Sequence, residues 1–125
     1  MPVSENALHS CIHALASVEG MLMDPRALTE DVLLLAEAFP DEADFLLAAA
    51  STRRALEQCA RGTITPTALD RSLAGWLSYH YQHKVGQGQQ ADMRVVYRET
   101  DRGIEVKGFG HRWLPADVYG HVSGR

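Results

Sequence analysis

A predicted β-hairpin between residues 93 and 109 limits the possible folds more than any other segment of this chain. Residues 93–99 and 104–109 are rich in β-branched and aromatic side chains, as β-strands are. The four residues between them, Thr-Asp-Arg-Gly at 100–103, form a turn cluster whose glycine tolerates a positive φ. Because an isolated hairpin is only marginally stable, we expect a further strand and a packed layer elsewhere in the chain.

The register of this hairpin decides which side chains share a face. A four-residue loop places Arg98 opposite Glu105, whereas a loop one residue shorter would oppose the like charges of Glu99 and Glu105. We therefore expect the first register, in which one face is an apolar core face and the other alternates charged and apolar side chains. The first face carries Val95, Tyr97, Ile104 and Val106, and the second carries Arg94, Val96, Arg98, Lys107 and Phe109.

The second face of the hairpin has two interpretations. The simpler one is a solvated outer face with a cross-strand pair between Arg98 and Glu105, because exposed charges are usual on a one-sided sheet. The other is a cradle for a phosphodiester backbone, formed by three cations beside an apolar and an aromatic residue. Spacing alone favours the solvated face, and both interpretations stay open at this point.

The first 62 residues predict three helices. Ser4 is a suitable N-cap for the first helix, whose apolar side chains recur at helical spacing between Leu8 and Leu22. Asp24-Pro25 combines an N-cap with a proline at the first position of the second helix. The third helix is expected from about Glu42 to Arg61, and Gly62 is a good stop.

The segment that precedes the hairpin predicts a short helix and then a third strand. Thr65-Pro66 repeats the cap-and-proline start, so a short helix is expected up to about residue 75. In residues 76–86 the side chains alternate as in a strand, although a helix would also align Trp76, His80 and Lys84. Three aromatic residues favour the strand, and the hairpin needs one.

These elements predict a single α+β domain over residues 1–125. A helical part, residues 1–62, is expected to pack on one face of a small three-stranded antiparallel sheet within residues 63–125. No strand is predicted before residue 76. Leu114-Pro115 is expected to begin a short terminal helix or turn.

Composition is that of an ordinary soluble globular protein. The chain has 125 residues, of which 46% are hydrophobic and 22% charged, and no apolar run approaches a membrane span. The N-terminus lacks a basic segment followed by an apolar block, so we expect a cytoplasmic protein. Cys11 and Cys59 are then expected to be buried free thiols rather than a disulfide.

Charge is divided unevenly along the chain, whose net charge is −4. Residues 1–65 hold four arginines and ten acidic residues, whereas residues 66–125 hold eight basic and six acidic residues. The overall negative charge argues against a general nucleic-acid binder. The basic second half is compatible with a cationic surface that is confined to one face.

Three short motifs in the second half resemble the RelE/ParE toxin superfamily in their order and spacing. They are Arg94-Val95-Val96-Tyr97, Gly110-His111-Arg112 and Asp117-Val118-Tyr119. The resemblance covers about a fifth of the chain firmly, and it extends loosely back through the strand predicted at 76–86. It implies a small antiparallel sheet with helices on one face and the other face open to mRNA on the ribosome. It also implies RNA cleavage without a metal.

The resemblance implies roles for individual residues. Arg94 and Arg112 match the family's phosphate-stabilising arginines, and Tyr119 matches its terminal tyrosine. Lys84 is the candidate for the basic residue of the preceding strand. Independently of the resemblance, histidine pKa values suit acid–base work near neutral pH. The candidate catalytic set is Arg94, Arg112, Tyr119, Lys84 and His111, and the candidate RNA-binding set is Arg98, Lys107 and His83.

The expected partners follow from the same resemblance: an antitoxin protein, mRNA on the ribosome and, as a further option, a second copy of the chain. No membrane partner is expected. No metal or cofactor is predicted, because His80-x-x-His83 on a strand would point its two rings to opposite faces. The alternative function is that of a non-catalytic binding protein on the same fold, such as a ParE-like inhibitor of another enzyme.

Overall fold

A computed structural model of the chain describes residues 2–84 and 90–125. The fold is α+β, with a mixed sheet whose strands lie in the order β1-β5-β4-β3-β2. Most of the helical residues come before residue 62, as the sequence predicted. The elements are α1 (Glu5–Ala16), β1 (Met21–Met23), α2 (Pro25–Ala38), α3 (Glu42–Arg61), β2 (Thr67–Ala68), a 3₁₀ turn (Arg71–Leu73), β3 (Leu77–Tyr81), β4 (Met93–Thr100), β5 (Gly103–His111) and α4 (Val118–Val122).

The first three helices begin where their capping residues indicate, but the first is shorter than its apolar pattern suggested, since α1 ends at Ala16 and Leu22 lies in β1. The Ser4 hydroxyl accepts a hydrogen bond from the backbone N–H of Ala7 at 3.1 Å, which caps α1. The Asp24 carboxylate accepts one from the N–H of Arg26 at 2.8 Å and caps α2. Gly62 ends α3 in the left-handed region at φ 70°, where a side chain would be strained.

The hairpin register is confirmed. Arg98 pairs with Glu105 across β4 and β5, and Tyr97 pairs with Val106. Thr100 pairs with Gly103, so the connection is a two-residue turn within the predicted four-residue loop. β3 is antiparallel to β4, which confirms the third strand. The predicted end of that strand, at residues 85–86, lies outside the described residues.

The sheet prediction was wrong in strand number and in direction, since the structure has five strands and a mixed sheet. β1 runs parallel to β5, with Met21 beside Ile104. It precedes residue 76, where no strand was predicted, because three residues at a sheet edge are too few to show an alternating pattern. The helix predicted after Thr65-Pro66 is reduced to the 3₁₀ turn at Arg71–Leu73. Residues 67–68 pair with β3 instead of starting a helix. This pairing and the burial of Leu73 against the sheet outweigh the helix start that Thr65-Pro66 suggested.

One face of the sheet packs against α1, α2 and α3 to form the main core. Val95, Tyr97 and Val106 are buried in it, as predicted for the core face. Phe109 is buried there too, although it was predicted on the second face. A register shift between Val96 and Tyr97 explains the correction, because the bulge reverses the side to which the following part of β5 points.

The second face of the sheet is partly covered by α4. Val96, which was predicted on an open face, is 0% exposed and packs with Leu73, Val118 and Val122. The terminal helix that the sequence expected after Leu114-Pro115 is therefore the cover of this face. Gly108 permits the contact, because an added Cβ would lie 2.3 Å from the Val122 side chain.

Two expectations from composition have structural counterparts. Cys11 and Cys59 are free and buried, which confirms the thiol prediction. Burial raises the pKa of each thiol to about 12. Among the described residues, no helix is both long enough and apolar enough to cross a lipid bilayer.

Candidate functional site

Four side chains from different parts of the second half meet on the second face of the sheet. His80 on β3 and Arg94 on β4 are direct cross-strand neighbours, and Arg94 in turn pairs with Gly110 on β5. Arg112 follows β5, and Tyr119 lies in α4. We call His80, Arg94, Arg112 and Tyr119 the basic cluster.

Arg94 is a buried cation with an unused donor. Its side chain is packed so that the residue is 7% exposed. Nη1 donates to the backbone carbonyls of Ala91 and Met93, each at 2.9 Å. Nε is buried and has no hydrogen-bond partner among the described residues. A buried donor without a partner is unfavourable, so Arg94 is less fully hydrogen-bonded than a purely structural arginine would be.

Arg112 is held in place from two sides. Its Nη1 lies 2.8 Å from Oδ1 of Asp117, and its guanidinium lies 5.0 Å from the centre of the Tyr119 ring. Asp117 also caps α4 by accepting a hydrogen bond from the N–H of Tyr119 at 3.0 Å. The arginine is therefore fixed relative to the tyrosine, yet its side chain stays 31% exposed.

Tyr119 and His80 complete the cluster. The Tyr119 hydroxyl lies 2.6 Å from the Ser78 hydroxyl and 3.5 Å from Nε2 of His80. Desolvation lowers the pKa of His80, and the nearby guanidinium groups of Arg94 and Arg112 lower it further. This shift favours the neutral imidazole at pH 7. A neutral imidazole beside two guanidinium groups can accept a proton while the cations stabilise developing negative charge.

A second cluster of titratable groups lies near the end of β3, the start of β4 and the end of β5. We call it the Asp92 cluster. Nδ1 of His83 bonds to the Asp92 carboxylate, and the backbone N–H of His83 donates to the same carboxylate at 2.9 Å. Nε2 of His111 lies 3.5 Å from it. The ring of Phe39 packs 4.4 Å from the His83 ring.

His111 is fully engaged within the Asp92 cluster. Its Nδ1 accepts hydrogen bonds from the backbone N–H groups of Trp113 at 3.0 Å and Leu114 at 2.9 Å. The ring hydrogen must then be on Nε2, where it faces Asp92. Desolvation lowers the pKa of His111 despite the opposing effect of Asp92. His111 therefore holds the chain after β5 and has no ring nitrogen left for a substrate.

The candidate RNA-binding cations lie elsewhere on the sheet. Nε of Arg98 lies 2.5 Å from Oε1 of Glu105, and its guanidinium lies 4.7 Å from the centre of the Trp76 ring. Nζ of Lys107 lies 4.9 Å from the same ring. These side chains line an open cavity of about 780 Å³ beside β1 and the start of α2. Lys84 is exposed at the end of the first described segment.

The predicted site residues are thus divided among several places. The structure brings Arg94, Arg112 and Tyr119 together, and it places His83 and His111 in a separate cluster. Sequence reasoning missed His80 as a partner of Arg94, because that contact depends on the register between β3 and β4. The signal that could have found it was the alternation along 76–86, which points His80 away from the core. Within residues 2–84 and 90–125, no group of three or more His, Cys, Asp or Glu side chains is arranged to hold a metal ion.

A buried carboxylate that the sequence did not single out fastens the second face to the helices. Asp31 is 0% exposed and is held by both terminal nitrogens of Arg125, at 2.6 and 2.9 Å. It also accepts a hydrogen bond from the backbone N–H of Phe109 at 3.0 Å. Nε2 of His121 lies 3.1 Å from Oδ1 of Asp31, so this network joins α2, β5 and α4.

No protein-family model, curated protein or solved structure matches the chain. The resemblance to the RelE/ParE superfamily therefore stays a prediction from three short motifs.

Proposed function

We propose that this protein is a RelE-like toxin that cleaves mRNA on the ribosome by acid–base chemistry at the basic cluster. One observation carries the proposal. Arg94, Arg112 and Tyr119 belong to three separate motifs of the sequence, and in the fold they surround a histidine, His80. A base, two cations and a hydroxyl are the groups that phosphodiester cleavage requires.

The proposed reaction begins with the 2′-hydroxyl of the nucleotide before the cut. Nε2 of His80 takes its proton, and the 2′-oxygen forms a bond to phosphorus. The bond from phosphorus to the 5′-oxygen then breaks, and that oxygen takes a proton from the Tyr119 hydroxyl. Tyr119 regains a proton from His80, 3.5 Å away. The products are a 2′,3′-cyclic phosphate and a free 5′-hydroxyl, and both side chains return to their starting states.

Arg94 and Arg112 would stabilise the extra negative charge on the phosphorane. Arg94 is pre-positioned by its bonds to two carbonyls and keeps its Nε donor unused. Arg112 is ordered by Asp117 and Tyr119 while part of its guanidinium faces solvent. Removing one such pre-organised donor typically lowers a rate by about 10²–10³.

The packing of the N-terminal half determines which protein should be tested. α1, α2 and α3 lie on the core face, so the acidic half does not cover the basic cluster. These helices also supply core residues such as Leu15, Val32 and Leu35, which are at most 1% exposed. A fragment that starts near residue 41 would lose that core, so the full-length chain is the form to use.

A toxin of this kind implies a neutralising antitoxin protein, which is part of the proposal. The helical layer offers apolar surface for such a partner. Leu46 and Leu47 on α3 are 49% and 45% exposed. Co-expression with the antitoxin would restore growth.

Arg112 provides the sharpest test of the nuclease proposal. Expression of the wild type should arrest growth, and primer extension should show new mRNA 5′ ends on translating ribosomes. Arg112→Ala should lower cleavage by about 10²–10³. Its only charged partner, among the described residues, is the exposed Asp117, so the melting temperature should change little. Arg102→Ala, in the exposed hairpin turn, is the matched control and should cleave like the wild type.

Arg94 is a weaker test than the sequence suggested. A surface arginine would be removed at little cost in stability, but Arg94 is buried and holds two carbonyls. Arg94→Ala is therefore expected to lower both cleavage and stability. If a folded wild type arrests growth without cutting RNA, the enzyme-inhibitor alternative replaces the nuclease.

A further inference from the structure

We infer that the pocket between α3 and β3 binds the nucleotide on the 5′ side of the cut, with Arg54 holding that nucleotide's own 5′ phosphate. This inference rests on the proposed function. It adds a second binding surface to the basic cluster, and it assigns a role to an arginine that the cleavage chemistry does not use.

The pocket lies on the core-face side of β3 and the basic cluster lies on the other face. The two meet at the edge of β3, where His80 lines the pocket and where β2, among the described residues, pairs only with Leu77 and Ser78. Its volume is about 350 Å³, within the range of small-ligand sites. α3 forms one wall and β3 forms the other. Their side chains are mostly polar or aromatic, as a nucleotide requires. Its lining includes Arg54, Gln58, Tyr79 and His80.

Arg54 and its neighbour Arg53 have different environments. Nη1 of Arg53 donates to the backbone carbonyl of Ala14 and to the Ser17 hydroxyl, so Arg53 caps the end of α1. Arg54 is exposed, lines the pocket and has no ion-pair or hydrogen-bond partner in the part of the chain that the structure describes. Of the two adjacent arginines, Arg54 is the one available to bind a phosphate.

Gln58 is oriented to read a base. Its Oε1 accepts a hydrogen bond from the Tyr79 hydroxyl at 3.1 Å, which leaves the two N–H donors of its amide for another partner. The ring of Tyr79 stacks with that of Tyr81 at 6.1 Å, so the tyrosine is itself held in place. The pocket therefore favours a base edge that presents acceptors.

The shared histidine fixes which nucleotide occupies the pocket. In the proposed reaction His80 takes the proton of the attacking 2′-hydroxyl, so the ribose of that nucleotide must contact His80. Because β2 pairs with β3 only at Leu77 and Ser78, the base attached to this ribose can pass round the edge of the strand at His80 into the pocket. The nucleotide in the pocket is therefore the one before the cut.

The test compares two exposed arginines of the same helix on ribosomes that carry a defined mRNA. Arg54→Ala should raise the protein concentration needed for half-maximal cleavage by about tenfold, the effect of one lost charge-assisted hydrogen bond. Arg61→Ala, in the last turn of α3 and outside the pocket, should change it less than about twofold. Gln58→Glu, which replaces two donors with acceptors, should move the cut sites toward bases that present donors.

A separate binding measurement distinguishes failure of the pocket from failure of the nuclease. Fluorescence anisotropy with a labelled single-stranded 2′-O-methyl RNA detects binding without cleavage. Weaker binding by Arg54→Ala than by Arg61→Ala supports the pocket even if the wild type cuts nothing. Equal binding and equal cleavage by these two variants would overturn the pocket inference while a cleaving wild type kept the nuclease. Absence of RNA binding by the wild type, in solution and on ribosomes, would overturn both.

Discussion

The basic cluster and the Asp92 cluster lie near the same ends of the strands and each contains histidine, yet their polar atoms differ in how fully they are bonded. In the Asp92 cluster, Nδ1 of His111 accepts hydrogen bonds from two backbone N–H groups, and Nε2 faces the Asp92 carboxylate. In the basic cluster, Nε2 of His80 has the Tyr119 hydroxyl at 3.5 Å, a long contact. An imidazole whose two ring nitrogens both have close polar partners stabilises the local structure. An imidazole with one nitrogen in only a long contact can accept and release a proton.

The arginines follow the same distinction. Arg125 directs both terminal nitrogens at the buried Asp31, and Arg53 caps α1. Arg94 keeps a buried donor unused, and Arg54 lines a pocket without a partner in the described chain. The presence of a donor without a partner distinguishes these two pairs of arginines better than burial does. Arg94 has such a donor although it is among the buried residues.

The largest expected effect concerns His80. His80→Ala should lower mRNA cleavage by about 10²–10⁴, the usual contribution of a positioned general base. Because His80 is exposed, the free energy of unfolding should stay within about 0.5 kcal/mol of the wild type. Cleavage kinetics on programmed ribosomes and urea denaturation give the two values. His9→Ala, which removes an exposed histidine from α1, should change neither.

An equal loss of cleavage in His80→Ala and His111→Ala, with both variants as stable as the wild type, would contradict the comparison. It would mean that hydrogen-bond saturation does not separate the two clusters. His83 and His111 would then regain the roles in acid–base chemistry and RNA binding that the sequence suggested for them.

Asp31 should give the largest change in stability. Asp31→Ala removes the acceptor of two Arg125 nitrogens and of the Phe109 N–H, and it leaves the partly buried Arg125 with the exposed Glu30 as its remaining acidic partner among the described residues. Breaking a buried pair in this way typically costs about 3–5 kcal/mol. Urea unfolding should show the loss as a lower midpoint. Glu30→Gln is the matched control, because that side chain is 57% exposed and its ion pairs are worth at most about 1 kcal/mol.

Acid pH should weaken the fold through His111. Its folded-state pKa is lowered from 6.5, chiefly by desolvation, so the unfolded chain binds the proton more readily. Stability should therefore be complete above about pH 6.5 and fall as the pH drops below it. His80 shifts in the same direction and adds to the loss. Urea midpoints between pH 5 and pH 8 measure the slope.

The variant His111→Asn shows whether His111 causes that slope. The Oδ1 of asparagine takes the place of Nδ1 and keeps an acceptor for the N–H groups of Trp113 and Leu114, but it cannot gain a proton, so the stability of this variant should depend less on pH than that of the wild type. A wild-type curve that is flat, or that rises toward pH 5, would show that Asp92 and not desolvation governs His111.

Local patterns predicted much of this fold because they depend on neighbouring residues. The capping residues placed α2 and α3, and opposition of like charges fixed the register of Arg98 with Glu105. The patterns failed where distant contacts decide. β1 is a strand because β5 lies beside it, and Phe109 points inward because a bulge precedes it. The same limit applies to the candidate site, since motifs suggested Arg94 and Arg112 whereas His80 and Arg54 needed the tertiary structure.

The smallest expected effect concerns Arg98, a cation that is already paired at the surface. Arg98→Ala breaks its ion pair with Glu105 and its contact with Trp76, but the side chain is 53% exposed. The cost in stability should be about 1 kcal/mol or less. Trp76 fluorescence should change, because a cation leaves its ring. Cleavage should stay close to the wild type, since Arg98 lies outside the basic cluster. A loss of cleavage as large as that of Arg112→Ala would instead extend the RNA path along β4 to Arg98, as the sequence suggested, and would show that a paired cation can still serve the substrate.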